Sequence, residues 1–252
     1  MYGLSSIYYD DAALFHGSLS ILMGTRFDMI AAGESREKME GIWTGICREA
    51  ARLERMFNRF DPLSEVSEVN AGMKEPSPEM QSIIGICNGY ATRTKGYFDI
   101  TKGSRFSEGK VQYDFGGFAK GYLLKQIKES FCSNGINDAF VDFGQSSILA
   151  MGNHPSGDGW TVSLRSPFRD RAPKEIALHD KALSVSGNSP GYVGHIVNPF
   201  TGEEQCGSGM VAVISEDPLD AEVLSTALMV IPKEDASAVL TGFPDVETMI
   251  FE

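Results

Sequence analysis

Between Ser35 and Phe60 the apolar side chains Met39, Ile42, Trp43, Ile46, Cys47, Ala50, Leu53, Met56, Phe57 and Phe60 recur at steps of three, one and three. That spacing lines one face of a helix and predicts a long amphipathic one. Upstream, LSILMGTRFDMIAA (19–32) reads as a strand pair, or as one long strand bent at Gly24. DPLSEVSEVNAG (61–72) is rich in turn formers and predicts a connection. A second helix is expected over 77–96, with Ser77 at the N-cap, Pro78 at the first helical position and Gly96 at the stop. Residues 98–117 predict a loop with short extended pieces, and 118–131 a third helix.

Five later stretches are β-like and separated by Gly, Pro and Asn: DAFVDFGQSSILAMG (138–152), GWTVSLRSP (159–167), KALSVSG (181–187), HIVNP (195–199) and MVAVISE (210–216). DPLDAEVLSTALMVI (217–231) predicts a helix with Pro218 near its start, KEDASAVLTGF (233–243) a short one, and DVETMIFE (245–252) a closing strand. Helices in both halves and strands clustered in runs point to an α+β fold, with mixed or antiparallel sheets packed against helices, rather than a regular βαβ alternation. No linker, repeat or low-complexity stretch interrupts the chain, so residues 1–252 are expected to form one domain.

Composition narrows the function classes. Apolar residues make up 42% and charged residues 22%, which suits a sizeable core rather than disorder. The net charge is −12 and no Lys/Arg cluster interrupts it. Sequence-independent binding to nucleic acid and docking on anionic lipid are both disfavoured. An anionic ligand therefore needs local help from lysine, backbone N–H groups or a divalent cation. Cys47, Cys87, Cys132 and Cys206 form no CxxC pair, and the first three fall among apolar neighbours in expected helices, as buried thiols do. The N-terminus has no basic region, and no apolar stretch is long enough to span a membrane. The expectation is a soluble, cytoplasmic protein, exported or lipid-anchored only if a leader has been trimmed.

Three stretches carry candidate chemistry. DFGGFAKGY (114–122) fails the P-loop spacing, because Gly116 and Gly117 lie too close to Lys120 and Gly121 follows it. What remains is a set of glycines at a helix entrance with Lys120 in the first turn. This suits a phosphate cradle, and equally a tight turn with a solvated lysine. SGNSPGYVGHIVNPFTG (186–202) is loop-like and holds His195, one histidine without zinc-ligand spacing; it is either a structural hydrogen-bonder or an acid–base group. In DAEVLSTAL (220–228), Glu222 and Thr226 share a helix face. They suit a hard cation such as Mg²⁺, or are a surface glutamate and a threonine bonded back to its own helix.

Taken in order, MGTRF, FNRFDPLSEVSEVN, GYFDIT, DFGGFAKGY, AFVDFG, GWTVSLRSP, SG…HIVNPFTG and AEVLSTALMV resemble the FAD:protein FMN transferase family, the ApbE-like flavin transferases. The resemblance spans roughly Met23 to Ile231 and implies a T-fold-related α+β architecture. It implies a metal-dependent enzyme that passes FMN from FAD to a threonine of an acceptor protein and releases AMP. Met23 and Phe60 would lie near the flavin rings. Lys120 and the turn of Gly116, Gly117 and Gly121 would face the pyrophosphate, and Asp99, Ser186 and Gly187 would also contact the cofactor. The carbonyl of Ala119 with Glu222 and Thr226 would hold Mg²⁺, and His195 would lie close to the reacting phosphate. The chain departs from the family pattern in having Glu222, Gln145 and Asn198 where aspartates are usual. Two other outcomes stand beside transfer: an FAD-binding relative that has lost it, and hydrolysis of FAD to FMN and AMP.

Overall fold

The computed structural model describes residues 3–101, 111–165, 172–188 and 196–251. Strands β1 (Leu4–Tyr9), β2 (Leu14–Leu22) and β3 (Thr25–Ala32) run into α1 (Arg36–Phe57), α2 (Glu65–Asn70), α3 (Pro78–Arg93) and α4 (Ala119–Ser133). Strands β4 (Asp138–Phe143), β5 (Ser147–Met151), β6 (Trp160–Leu164), β7 (Lys174–Leu178), β8 (Lys181–Gly187) and β9 (Met210–Ser215) follow. Then come α5 (Pro218–Leu228), α6 (Lys233–Leu240) and β10 (Glu247–Phe251).

Eight strands form one sheet in the order β1-β2-β3-β4-β5-β8-β9-β10, and β6-β7 form a separate pair. Every pairing between these strands is antiparallel, so the antiparallel side of the expectation holds. The two faces of the large sheet bury different partners. Phe27, Met29, Val141, Leu149 and Val213 face the helices, while Ile148, Ala150, Leu183, Ala212 and Ile214 pack under Trp160, Val162, Ile176 and Leu178. Strands β5 and β9 are consequently buried on both faces, which is why they read as unbroken apolar runs rather than as alternation.

Helices α1, α3 and α5 start on side-chain caps, Ser77 among them as the sequence predicts. The hydroxyls of Ser35 and Ser77 accept the backbone N–H groups of Lys38 and Met80, and Asp217 accepts that of Leu219 ahead of Pro218. Helix α1 turns Met39, Trp43, Ala50 and Leu53 into the core, as its periodicity requires.

Four expectations change. The connection over 61–72 contains a helix, α2, because Ser64 accepts the Ser67 N–H at 3.1 Å and Val66 is fully buried. β1 and β7 carry mostly exposed side chains and so gave no apolar signal. In HIVNP the described residues form no strand, only a bridge between Val197 and Glu204, and His195 lies outside the described residues. All four cysteines are unpaired; Cys87 is buried and Cys47 half-buried, but Cys132, on α4, and Cys206, ahead of β9, are exposed. Burial pushes the Cys47 thiol up to about 11 and Cys87 higher still. Among the described residues, no helix is long and apolar enough to cross a membrane.

Candidate active site

The first turn of α4 meets the middle of α5 at Lys120 and Glu222. Their approach depends on Gly121: a Cβ there would lie 2.5 Å from the Glu222 Cβ and 2.9 Å from the Pro218 carbonyl oxygen. Any side chain would wedge the helices apart, so this glycine serves helix packing. Two further contacts seat α5: Lys125 donates to the N-cap Asp217 at 2.5 Å, and Tyr90 and Arg93 of α3 donate to Asp220 at 2.5 and 3.0 Å.

Inside this frame Lys120 Nζ donates to Glu222 Oε1 at 2.8 Å, to Ser147 Oγ at 2.6 Å and to Ser146 Oγ at 3.2 Å. The other carboxylate oxygen, Oε2, accepts from Ser147 at 2.7 Å and Ser184 at 2.8 Å. Ser184 Oγ lies 2.9 Å from Ser225 Oγ, which lies 2.9 Å from Ser186 Oγ, and Ser186 is 3.4 Å from Thr226 Oγ1. The two-residue period of a strand makes this network: Ala182, Ser184 and Ser186 of β8 point to the helix side, as do Ser147 and Leu149 of β5. Glu222, Ser147, Ser184 and Ser225 are all buried, and each has a partner, as burial of polar groups requires.

Thr226 opens onto a cleft lined by Asp99, Asp114, Gly117, Ile196, Pro199 and Val230. Here too the glycine marks a close approach, since a Gly117 Cβ would lie 2.9 Å from Thr226 Oγ1. Asp114 Oδ1 accepts the Gly116 N–H at 2.8 Å and so shapes the entrance to α4, which carries no side-chain cap. Asp99 Oδ1 accepts from the Thr101 N–H and hydroxyl at 2.7 and 2.6 Å, closing a local turn in FDIT. Ala119 opens α4 with its methyl buried, and Gly187 packs against the Gly209 carbonyl on the neighbouring chain segment.

Met23 and Phe60 both sit at the C-terminal end of α1. The Met23 N–H donates to Glu54 Oε1 at 2.9 Å, and Phe60 follows the helix with its ring under Arg59 at 4.4 Å. Phe60 is 81% exposed, which leaves the ring face opposite Arg59 open to a planar partner. Met23 and Gly24 form the two-residue β2–β3 turn with φ of +49° and +78°, a geometry that a methionine adopts only at a cost.

The sequence reading paired Glu222 with Thr226 on one helix face and treated Lys120 apart; the structure sets Lys120 against Glu222, with Thr226 one turn farther along α5. The sequence reading missed Ser147, Ser184 and Ser225, Asp114 at the cleft, and Glu54 under Met23. The serines had one available signal: small polar residues at the inward positions of otherwise apolar strands.

The ApbE family model matches residues 23–108 and 103–250. An FAD:protein FMN transferase from Rhodobacter capsulatus is 32% identical over 52% of this chain, a match that spans 26% of that protein. One from Chlamydia trachomatis is 26% identical, with 70% of this chain and 71% of that protein covered. Among solved structures, the flavin transferase ApbE from Vibrio cholerae superposes with a TM-score of 0.76 at 18% identity, covering 98% of this chain and 93% of the other. The ApbE protein from Thermotoga maritima gives 0.77 at 22% identity, with 98% and 94% covered. By the extent of the family match, the chain belongs to the ApbE family.

Proposed function

We propose that this protein transfers FMN from FAD to a threonine hydroxyl of an acceptor protein. In the transfer, the threonine oxygen forms a bond to the FMN phosphorus as the bond from that phosphorus to the AMP oxygen breaks. AMP leaves, and the hydroxyl proton passes to a base. Phosphoryl transfer of this kind needs positioning and charge neutralisation more than a nucleophile from the enzyme. The observation that carries the reading is the junction of Lys120, Glu222 and Thr226 beside the uncapped start of α4, in a chain whose relatives bear the transferase name.

The residues fit a hard cation by donor chemistry: a glutamate oxygen and a threonine hydroxyl near an acid-lined cleft. In this reading Glu222, Thr226 and the Ala119 carbonyl hold Mg²⁺, which when bound neutralises charge on the pyrophosphate. Lys120 and the positive end of α4 hold the phosphates, with Gly116 and Gly117 allowing close approach. Met23 and Phe60 bracket the flavin ring, Asp99, Ser186 and Gly187 line the nucleotide, and His195 moves the proton.

Incubation with FAD, Mg²⁺ and an acceptor domain that an established family member labels tests the reading. A covalently fluorescent acceptor and one AMP per label are expected. Free FMN with an unlabelled acceptor would overturn transfer in favour of hydrolysis, and unchanged FAD would overturn both.

A further inference from the structure

The two oxygens of Glu222 have different company. Oε2 is fixed by two hydroxyls, Ser147 on β5 and Ser184 on β8, both within a buried network. Oε1 takes the Lys120 ammonium at 2.8 Å and neither serine. The side chain of Lys120 is 21% exposed against 4% for Glu222, so the lysine is the member of the pair with a route outward. We propose that Lys120 is an exchangeable counter-cation: its ammonium occupies the one carboxylate oxygen that a divalent cation requires, and it gives up that oxygen when nucleotide phosphates draw it away.

The inference rests on the nucleotide and cation reading above and adds a mechanism to it. If the ammonium left alone, a buried carboxylate would lose its charge partner. If the cation arrived while the ammonium stayed, two positive charges would share one oxygen. Each event favours the other, so cation and nucleotide binding are coupled, and the coupling is reciprocal. Ser147 and Ser184 are positioning residues in this scheme. Because they hold Oε2, the carboxylate stays in place while the partner of Oε1 changes. Ser147 also accepts from Lys120 at 2.6 Å, so it feels both states of the exchange.

The test uses Mn²⁺ as the probe and the full, nucleotide-free chain, with free Mn²⁺ read by electron paramagnetic resonance. Lys120→Met removes the competitor, so it should bind Mn²⁺ about tenfold or more tightly than the unsubstituted protein. That gain should disappear when Glu222→Gln is added. Lys128→Met, the same charge change farther along α4, should leave Mn²⁺ affinity within about twofold. An unchanged affinity in Lys120→Met, or an equal gain in Lys128→Met, would overturn the exchange. Should Lys120→Met fail to fold, the unsubstituted protein still decides. Saturating Mg²⁺ should speed modification of the Lys120 amine by an acylating reagent, mapped by mass spectrometry, and an unchanged rate sinks the proposal. FAD binding, followed by flavin fluorescence in the same samples, separates the two ideas: a protein that binds no FAD loses the functional reading, whereas the Mn²⁺ result concerns the exchange alone.

Discussion

Glu222 is one methylene longer than the aspartate usual at its place in the family pattern, and the extra length is spent in reaching the strands. Its Oε2 sits between Ser147 and Ser184, 2.7 and 2.8 Å away. Glu222→Asp shortens that reach, leaves two buried hydroxyls without their acceptor, and should destabilise the protein by about 2 kcal/mol in urea titration. A loss below about 0.5 kcal/mol would mean that the serines do not hold this carboxylate. The other two departures are milder because each position works through geometry that an amide or a backbone group supplies. Asn198 Oδ1 accepts the Phe200 N–H at 2.9 Å, a turn contact that an aspartate oxygen makes equally well. Asn198→Asp should therefore change stability by less than about 0.5 kcal/mol. Gln145 contributes its backbone N–H to Asp142 Oδ1 at 2.7 Å from a left-handed conformation, φ +57°, and its side chain is exposed.

At the scale of elements, the α4–α5 contact is the joint on which the site depends. Gly121→Ala sets a methyl 2.5 Å from the Glu222 Cβ, and the neighbour on its other side is backbone, which has little room to yield. The predicted cost is about 2–3 kcal/mol by thermal or chemical unfolding, with Lys120 and Glu222 pushed out of register. The β3–β4 pair carries a second, pH-dependent feature. Asp28 and Asp142 face each other across the two strands. Hydrogen bonding to Arg26, helped by His16 and Ser18, lowers the Asp28 carboxyl, whereas burial raises Asp142. The signs are opposite. Asp28 adds stability above its unfolded range that is lost as pH falls through its lowered folded value, while Asp142 favours folding at low pH and withdraws that contribution as pH rises through its raised one. Asp28→Asn should lower stability at neutral pH by about 1 kcal/mol or less, since Arg26 is largely exposed, and should flatten the acid limb of the stability profile. An unchanged acid limb would remove Asp28 from that account. These elements were unequally legible. The cap Ser77 and the apolar face of α1 announce themselves by local chemistry. α2 does not, because a six-residue helix gives one buried side chain, Val66, and no period to read.

At the scale of the molecule, the site is assembled from side chains far apart in sequence: Lys120 meets Glu222 across 102 positions, and Ser147 meets it across 75. The motifs around Lys120 and Glu222 were visible because each is a local pattern. The serine network was not, because a serine in an apolar strand acquires meaning only when topology sets β5 beside β8 and lays α5 across both. The same topology makes ligand binding a global event. Helix α5 packs on β8 and β9, α4 packs on α5, and the cleft at Thr226 opens beside Gly117 just ahead of α4, so a ligand that reached from Thr226 to Lys120 would brace the sheet through two helices. Binding to the folded state alone adds about 2.7 kcal/mol at a hundredfold excess over the dissociation constant. With coupled sites, FAD and Mg²⁺ together should raise the unfolding midpoint by more than the sum of their separate shifts, measured by circular dichroism so that flavin emission does not interfere. Glu222→Gln should keep the FAD shift and lose the Mg²⁺ increment. If the shifts add simply, the cation and the nucleotide do not share this carboxylate; if Glu222→Gln retains the increment, the cation is held by other oxygens of the cleft.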